Sequence, residues 1–408
     1  MGTTTWDGQY LSLDPVSPGG RRTRREEFLT FAEEGKNMQH TKPPFRADHI
    51  GSLLRPPQLL ASRAQYAEGR ISGEDLCRVE DQAILEVLAL QRQTGINIYT
   101  DGEYRRHSWL TALNDALDGF VPEHVLLPWR GPGGGMTRVS SQVVGGKLRQ
   151  KRRLHSPESA FLKEHAPGPF KITLASVMMY VGSAYKPGVT DKSYPTRAEL
   201  RAELIDLVRN EVRLLVEEGV SYIQIDDPSL TFYVDEQVRE FMRAQGLDMD
   251  HWVDEAIAAD NACLEPAANS PSIRALHLCR GNSQGRWLVN GGYEPIAERL
   301  FNLLQADRFL LEYDSERAGG FEPLRFVPKG KTVVLGLVST KSKELESQDD
   351  LLRRIEEASQ YVPVEHLAIS PQCGFATVSV GNPLTHDDQQ RKLQLVVDTA
   401  EKVWGRLL

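Results

Sequence analysis

With 408 residues, 40% of them hydrophobic and 25% charged, the chain is long enough for one large α/β barrel or two modest domains. A formal net charge of −8 excludes a general nucleic-acid binder, because neutralising phosphates takes clustered basic charge. No apolar run approaches the roughly 20 residues needed to cross a bilayer. The opening residues lack the hydrophobic core of a secretory signal, and four cysteines in so long a chain do not make a disulfide framework, so a reducing cytoplasm is the expected setting.

Residues 1–42 are polar, contain Gly and Pro and show no periodicity, which predicts a poorly ordered extension. From Phe45 onward two textures alternate. Short apolar runs appear at "FRADHIGSLL", "NIYTDGE", "FKITLASV", "YIQIDDPSL", "RALHLCRG", "RFLLEYD", "TVVLGLVS" and "HLAISPQCG". Between them lie amphipathic patterns such as "EDLCRVEDQAILEVLALQRQTG" and "RAELIDLVRNEVRLLVEEG", with apolar residues three and four apart. Eight strand-like runs alternating with helices predict a single (β/α)8 TIM barrel over residues 43–408. A doubly wound sheet is disfavoured, since no Gly-x-Gly-x-x-Gly turn is present. Residues 108–167 do not fit the repeat. They are Gly-rich, with a predicted hairpin around "SQVVGGKLRQ", and read as a flexible lid over the barrel mouth after the second strand.

In such barrels chemistry collects at the C-terminal ends of the strands. The fifth run ends in "HLCRGN", where His277 and Cys279, two apart on a strand, point the same way. Imidazole and thiolate both suit zinc. Glu312 falls about one βα unit further on and Cys373 about two units beyond that, so the four predict a zinc site of His277, Cys279, Glu312 and Cys373. Cys77 and Cys263 sit within helical patterns and read as inert packing.

The motifs "IGS", "IDDPS", "HLC", "LE" and "SPQCG" together resemble, in order and position, the catalytic barrel of the cobalamin-independent methionine synthase family. The resemblance spans Phe45 to the C-terminus. It implies zinc on His277, Cys279, Glu312 and Cys373, and a homocysteine pocket formed by Ile50, Gly51 and Ser52. It also implies that Glu103 and Asp226 bind the substrate ammonium through charge-assisted hydrogen bonds. Three departures stand out: only one barrel is present; the Trp that lies under the folate falls at Ala175; and the proton-donating His after the seventh strand falls near Ser339. These move the chain toward single-barrel relatives.

The function expected is therefore a zinc-dependent S-methyltransferase or alkyltransferase, which makes a small-molecule thiol reactive as a zinc-bound thiolate and alkylates it from a methyl or alkyl donor. Asp226, Ser339 and His107 are the catalytic candidates, with Trp109 and Lys341 also on the donor side. Homocysteine is the first choice of thiol. Arg46, His49, Arg55, Arg105 and Arg106 would instead suit an anionic thiol such as coenzyme M. A lyase or decarboxylase resembling the uroporphyrinogen decarboxylases is the alternative from another class. A homo-oligomer is compatible with the sequence.

Overall fold

The computed structural model describes residues 45–406, so the extension expected over residues 1–42 lies outside the described residues. Two helices come first, α1 (Pro57–Ala67) and α2 (Gly73–Gln93). Ser72 caps α2 in a reciprocal box with Asp75, and Ile84, Val87, Leu88 and Gln91 form its buried stripe. Next come α3 (Thr111–Ala116), the antiparallel pair β1 (Leu117–Trp129) and β2 (Gly135–Gln150), and α4 (Ser156–His165).

The repeat then runs β3 (Lys171–Ala175), α5 (Val177–Ser183), α6 (Arg197–Glu217), β4 (Tyr222–Asp226), α7 (Glu236–Ala244), α8 (Trp252–Leu264) and β5 (Ile273–Leu278). It continues with α9 (Glu294–Leu303), β6 (Arg308–Glu312), β7 (Thr332–Val338), α10 (Gln348–Ser359), β8 (Leu367–Pro371) and α11 (His386–Trp404). Strands β3 to β8 form a six-stranded parallel sheet in sequential order. They are buried almost throughout, which is why they read as near-continuous apolar runs rather than as an alternation.

The first two predicted strands are corrected by the structure. "FRADHIGSLL" and "NIYTDGE" form no ladders and contribute isolated parallel bridges, Ala47 to Ile369 of β8 and Tyr99 to Phe170 just before β3. Their backbone is satisfied partly by β8 and β3, through Asp48 N–H to Ile369 O at 2.9 Å and Lys171 N–H to Tyr99 O at 2.9 Å, and partly by side chains. Gln91 bonds both the N–H and the carbonyl of Thr100, Gln389 accepts from Leu54 N–H, and Gln224 donates to the Ile50 carbonyl. Direct bonds also link the two segments, from Leu53 N–H to Gly102 O at 3.0 Å and from Thr100 Oγ1 to Gly51 O at 2.8 Å.

The predicted hairpin exists, but "SQVVGGKLRQ" is not its turn. Ser141–Gln150 lie inside β2, and the chain reverses at residues 130–134, "RGPGG". The Gly145–Gly146 pair falls near a register shift, where Gly119 has φ +106° and a Cβ would meet the Lys147 carbonyl at 2.8 Å.

Inside the sheet, Lys171 of β3 and Asp48 form an ion pair at 2.6 Å with neither side chain exposed. Burial pushes the Lys171 ammonium down, but it also donates to the His49 carbonyl and to Gln224 Oε1, so its charged form is fully bonded. Tyr222 donates to the other Asp48 oxygen at 3.0 Å. Lys171→Met leaves Asp48 buried with its closest counter-charge gone, and should cost about 3–5 kcal/mol in urea unfolding.

Candidate metal centre and substrate pocket

His277 and Cys279 leave the C-terminal end of β5, and Cys373 follows β8. Their ligand atoms lie within 4.8 Å of one another and all three residues are buried. A shared ion at about 2.0–2.3 Å per ligand needs only small rotations to close that spacing. The orientation of His277 can be deduced. Its Nδ1 is 3.1 Å from the Leu310 carbonyl, which can only accept, so Nδ1 carries the proton and Nε2 presents its lone pair. That Nε2 is buried with no hydrogen-bond partner. An imidazole nitrogen without a partner beside two thiols is the donor set that zinc takes. The Cys373 sulfur and burial push the Cys279 thiol well above its usual range.

Glu312, the fourth predicted ligand, ends β6 and is fully buried, but its carboxylate does not belong to that three-residue group. Oε2 accepts from Arg280 N–H at 2.8 Å, Oε1 accepts from Arg317 Nη2 at 2.6 Å, and Lys341 Nζ stands 3.5 Å from Oε1. Burial alone would raise this carboxyl; the surrounding Lys341, Arg280 and Arg317 hold it at about 2.

The Ile50–Gly51–Ser52 turn lies beside the metal group. Ser52 O accepts from Phe375 N–H at 2.9 Å, and a Cβ on Gly374, next to Cys373, would meet Ser52 Oγ at 1.9 Å. Gly51 has φ +141°, and a side chain there would run into Thr173 at 2.8 Å and the Glu103 carboxylate at 3.2 Å. Glu103 itself holds φ +60°, an unusual conformation for a long side chain, fixed by the bond from its N–H to Asp101 Oδ1 at 2.8 Å. Its Oε1 accepts from Thr173 Oγ1 at 2.8 Å, while Oε2 is buried without a partner. Asp226, at the end of β4, accepts from Gln224 Nε2 at 2.7 Å. Burial raises its carboxyl to about 6, with the charge of Glu103 adding to the effect. Arg106 Nη1 already stands 3.5 Å from Glu103 Oε1, so what remains for a further cationic group is the unpartnered Glu103 Oε2 facing the Asp226 carboxyl.

Of the donor-side candidates, His107 is exposed, and burial of part of its ring plus Arg55 and Arg63 lower its pKa. Ser339 is half-buried in a turn: its N–H donates to Glu346 and its hydroxyl accepts from Lys341 N–H at 3.3 Å. Trp109 is also half-buried, its N–H on the Thr377 carbonyl, and Ala175 is half-buried at the end of β3. The five basic residues offered for an anionic thiol have internal partners. Arg46 donates to Leu367 O, His49 bonds Ile98 O, and Arg55 donates to the carbonyls of Ala376, Glu103 and Arg106. Arg105 pairs with Glu80 and Asp81, and Arg106 grips Glu158 with two nitrogens at 2.8 and 2.6 Å. Cys263 is buried as expected, whereas Cys77 is exposed on α2, so its packing role is corrected: it lies on the polar face of that helix.

With this geometry in place, comparison with known proteins is decisive. Residues 45–402 match the family described as Cobalamin-independent synthase, Catalytic domain. The chain belongs to this family. Among its relatives is the uncharacterized protein YxjH of Bacillus subtilis (strain 168), 34% identical over 90% of this chain and 97% of that one. The methionine synthase of Saccharolobus solfataricus is 24% identical over 81% of this chain and 88% of its own length. A Listeria monocytogenes structure assigned as a vitamin-B12 independent methionine synthase superposes with a TM-score of 0.67 at 27% identity, covering 89% of this chain and 99% of that one. The cobalamin-independent synthase family is one of methionine-synthase-like enzymes, and the mixed α/β fold with its parallel sheet is shared with those structures.

Sequence reasoning missed Arg317, Asp101 and the Arg106–Glu158 pair. Arg317 stands in "LEYDSER", but nothing in its spacing marks it as a partner of Glu312. Asp101 has one oxygen without a partner, and burial and then the Glu158 charge raise it to about 7. A carboxyl raised on folding binds its proton more tightly in the native state, so its favourable contribution is full below about pH 4 and fades as pH rises through about 7. Asp101→Asn keeps the Oδ1 acceptor. The variant should match the parent near pH 4 and exceed it near pH 8, by on the order of 3–4 kcal/mol in urea unfolding at about 1.36 kcal/mol per pKa unit.

Proposed function

We propose that this chain is a zinc-dependent thiol S-methyltransferase or alkyltransferase acting on homocysteine, built as a closed (β/α)8 barrel with residues 108–167 over its mouth. The observation that carries this reading is the convergence of His277, Cys279 and Cys373 around an imidazole nitrogen that has no other partner. Barrel closure is supported by the two bridge segments, which bond to each other and to β3 and β8 on either side. A separate interior cluster of Phe45, Ile98, Tyr222, Ile273, Leu310 and Val334 fits a filled cylinder.

His277, Cys279 and Cys373 would hold the zinc ion, which when bound would lower the pKa of an incoming thiol and so favour its nucleophilic form at neutral pH. The chain's own groups do the rest. Glu103 and Asp226 take the ammonium, the glycine turn at Gly51 lets the substrate backbone approach, and Ser52 holds that turn against Gly374. For the donor side the reading assigns His107 and Ser339, with His107 kept neutral and so able to accept a proton. A reducing cytoplasm suits two thiols this close together. The commitment of Arg55, Arg105 and Arg106 to internal partners favours an aminothiol over a sulfonate thiol. A metal-free lyase has no use for the His–Cys–Cys group.

The direct test is elemental analysis of freshly purified chain, followed by assay of homocysteine and other thiols against methyl-folate, methylcobalamin and epoxide donors. About one zinc per chain and S-alkyl product are expected; metal-free protein would refute the reading. Cys373→Ser should lose most of the zinc and nearly all alkylation. Asp226→Ala should raise KM for homocysteine by about 10-fold or more, the loss of a charge-assisted bond, while leaving KM for a sulfonate thiol within about twofold. Equal effects on both thiols would remove the ammonium role.

A further inference from the structure

On β4, alternation points Tyr222, Gln224 and Asp226 to one face of the sheet, while Ile223 and Ile225 join the hydrophobic core on the other. The middle residue, Gln224, has no exposure and uses both of its N–H donors. Its Nε2 donates to the Ile50 carbonyl at 2.8 Å and to Asp226 Oδ1 at 2.7 Å, and its Oε1 accepts from Lys171 Nζ at 3.0 Å. A carbonyl only accepts and an ammonium only donates, so the amide can stand only this way round. The neighbouring strand repeats the arrangement. Thr173 of β3, the register partner of Gln224, donates to Glu103 Oε1 at 2.8 Å. Thr173 and Gln224 thus each hold one oxygen of a buried carboxyl. The other oxygens, Glu103 Oε2 and Asp226 Oδ2, take no hydrogen bond from the described residues.

We infer that Gln224 is a positioning residue for the ammonium pocket, holding the Asp226 carboxylate beside Glu103 with a donor that carries no charge. The inference rests on the aminothiol reading above. Glu103 and Asp226 repel each other, and a carboxylate that is not tied down relieves the repulsion by rotating away. A lysine or arginine in place of Gln224 would tie it down but would also neutralise the charge that an incoming ammonium needs. An amide supplies the bond and leaves the charge. Lys171 is kept one link back, and Asp48, at 2.6 Å, offsets its charge. The bonds from Asp48 through Lys171 and Gln224 to Asp226 all polarise in one direction, which strengthens the last of them. Through the Ile50 carbonyl, the same amide ties Asp226 to the Ile50–Gly51–Ser52 turn, so both parts of the pocket share one support.

The test is the binding of two thiols to the zinc-loaded full-length chain by titration calorimetry, which needs no alkyl donor. L-homocysteine and 4-mercaptobutanoate differ only in the amino group. Gln224→Met should weaken homocysteine binding about 10–100-fold, the range for losing a hydrogen bond to a charged group, and leave 4-mercaptobutanoate within about threefold. Gln224→Asn stays polar but draws the amide back by one methylene, and should shift homocysteine the same way by a smaller factor. In an Asp226→Ala background the effect of Gln224→Met on homocysteine should fall below about threefold, because the group it positions is gone. Equal weakening of both thiols, an undiminished effect beside Asp226→Ala, or no effect of either substitution overturns the positioning role. Zinc content and the melting midpoint are measured for each variant. Loss of both in both Gln224 variants also overturns the role, since the residue then serves the core alone. If Asp226→Ala itself leaves homocysteine binding unchanged, the aminothiol reading fails and takes the Gln224 role with it. If Asp226→Ala weakens homocysteine selectively and Gln224→Met does not, only the Gln224 role fails.

Discussion

Each polar group on the inner face of the parallel sheet must find a partner without help from bulk water, and this constraint organises the molecule. Around Asp48 most of the demand is met within the chain, although His49 Nδ1 is buried without a partner. Lys171, Asp48, Tyr222 and Gln224 form one network, and Gln224 passes it upward to the Ile50 carbonyl and the Asp226 carboxyl. Toward the C-terminal ends of the strands the accounting fails. His277 Nε2, Glu103 Oε2 and Asp101 Oδ2 are buried without partners. His277 stands at the end of β5, whereas Glu103 and Asp101 stand in the bridge segment that precedes β3.

The unmet groups divide by chemistry. On one side stand a nitrogen lone pair and two sulfurs, which are soft donors for a metal. On the other stand two buried carboxyls, Asp226, whose burial opposes its charge, and Glu103, on a backbone held at positive φ. That conformation is strained for a glutamate, and it is maintained by Asp101 and by the packing around Gly51. On the function proposed above, a thiol carrying an amino group would meet both halves at once, its sulfur toward the metal donors and its ammonium toward the carboxyls.

The hairpin inserts where a simple repeat would place one helix, and its turn contacts the segment after β5 rather than its own neighbours in sequence. Arg130 bonds Trp287 there, and the Arg317 guanidinium lies over the Trp287 ring. A glycine-rich turn is required at the contact, because any side chain at Gly131 would overlap the indole.

Much of this could be read directly. Six of eight strands, the amphipathic helices and the placement of His277, Cys279 and Cys373 at strand ends follow from local periodicity, since alternation in a strand and a three-to-four spacing in a helix depend only on nearby residues. The motif set around "HLC" and "SPQCG" also pointed to the family to which the chain belongs. The first two strands were misjudged because apolar content cannot show whether a neighbour's backbone or a glutamine side chain will satisfy a peptide group. The hairpin turn was misplaced because two glycine-rich stretches compete and only pairing decides which one reverses. Glu312 shows the same limit most clearly. The sequence alone put it at the right strand end, but which of its neighbours takes the carboxylate depends on Arg317, Lys341 and Arg280, residues whose approach is set by tertiary packing and leaves no periodic trace.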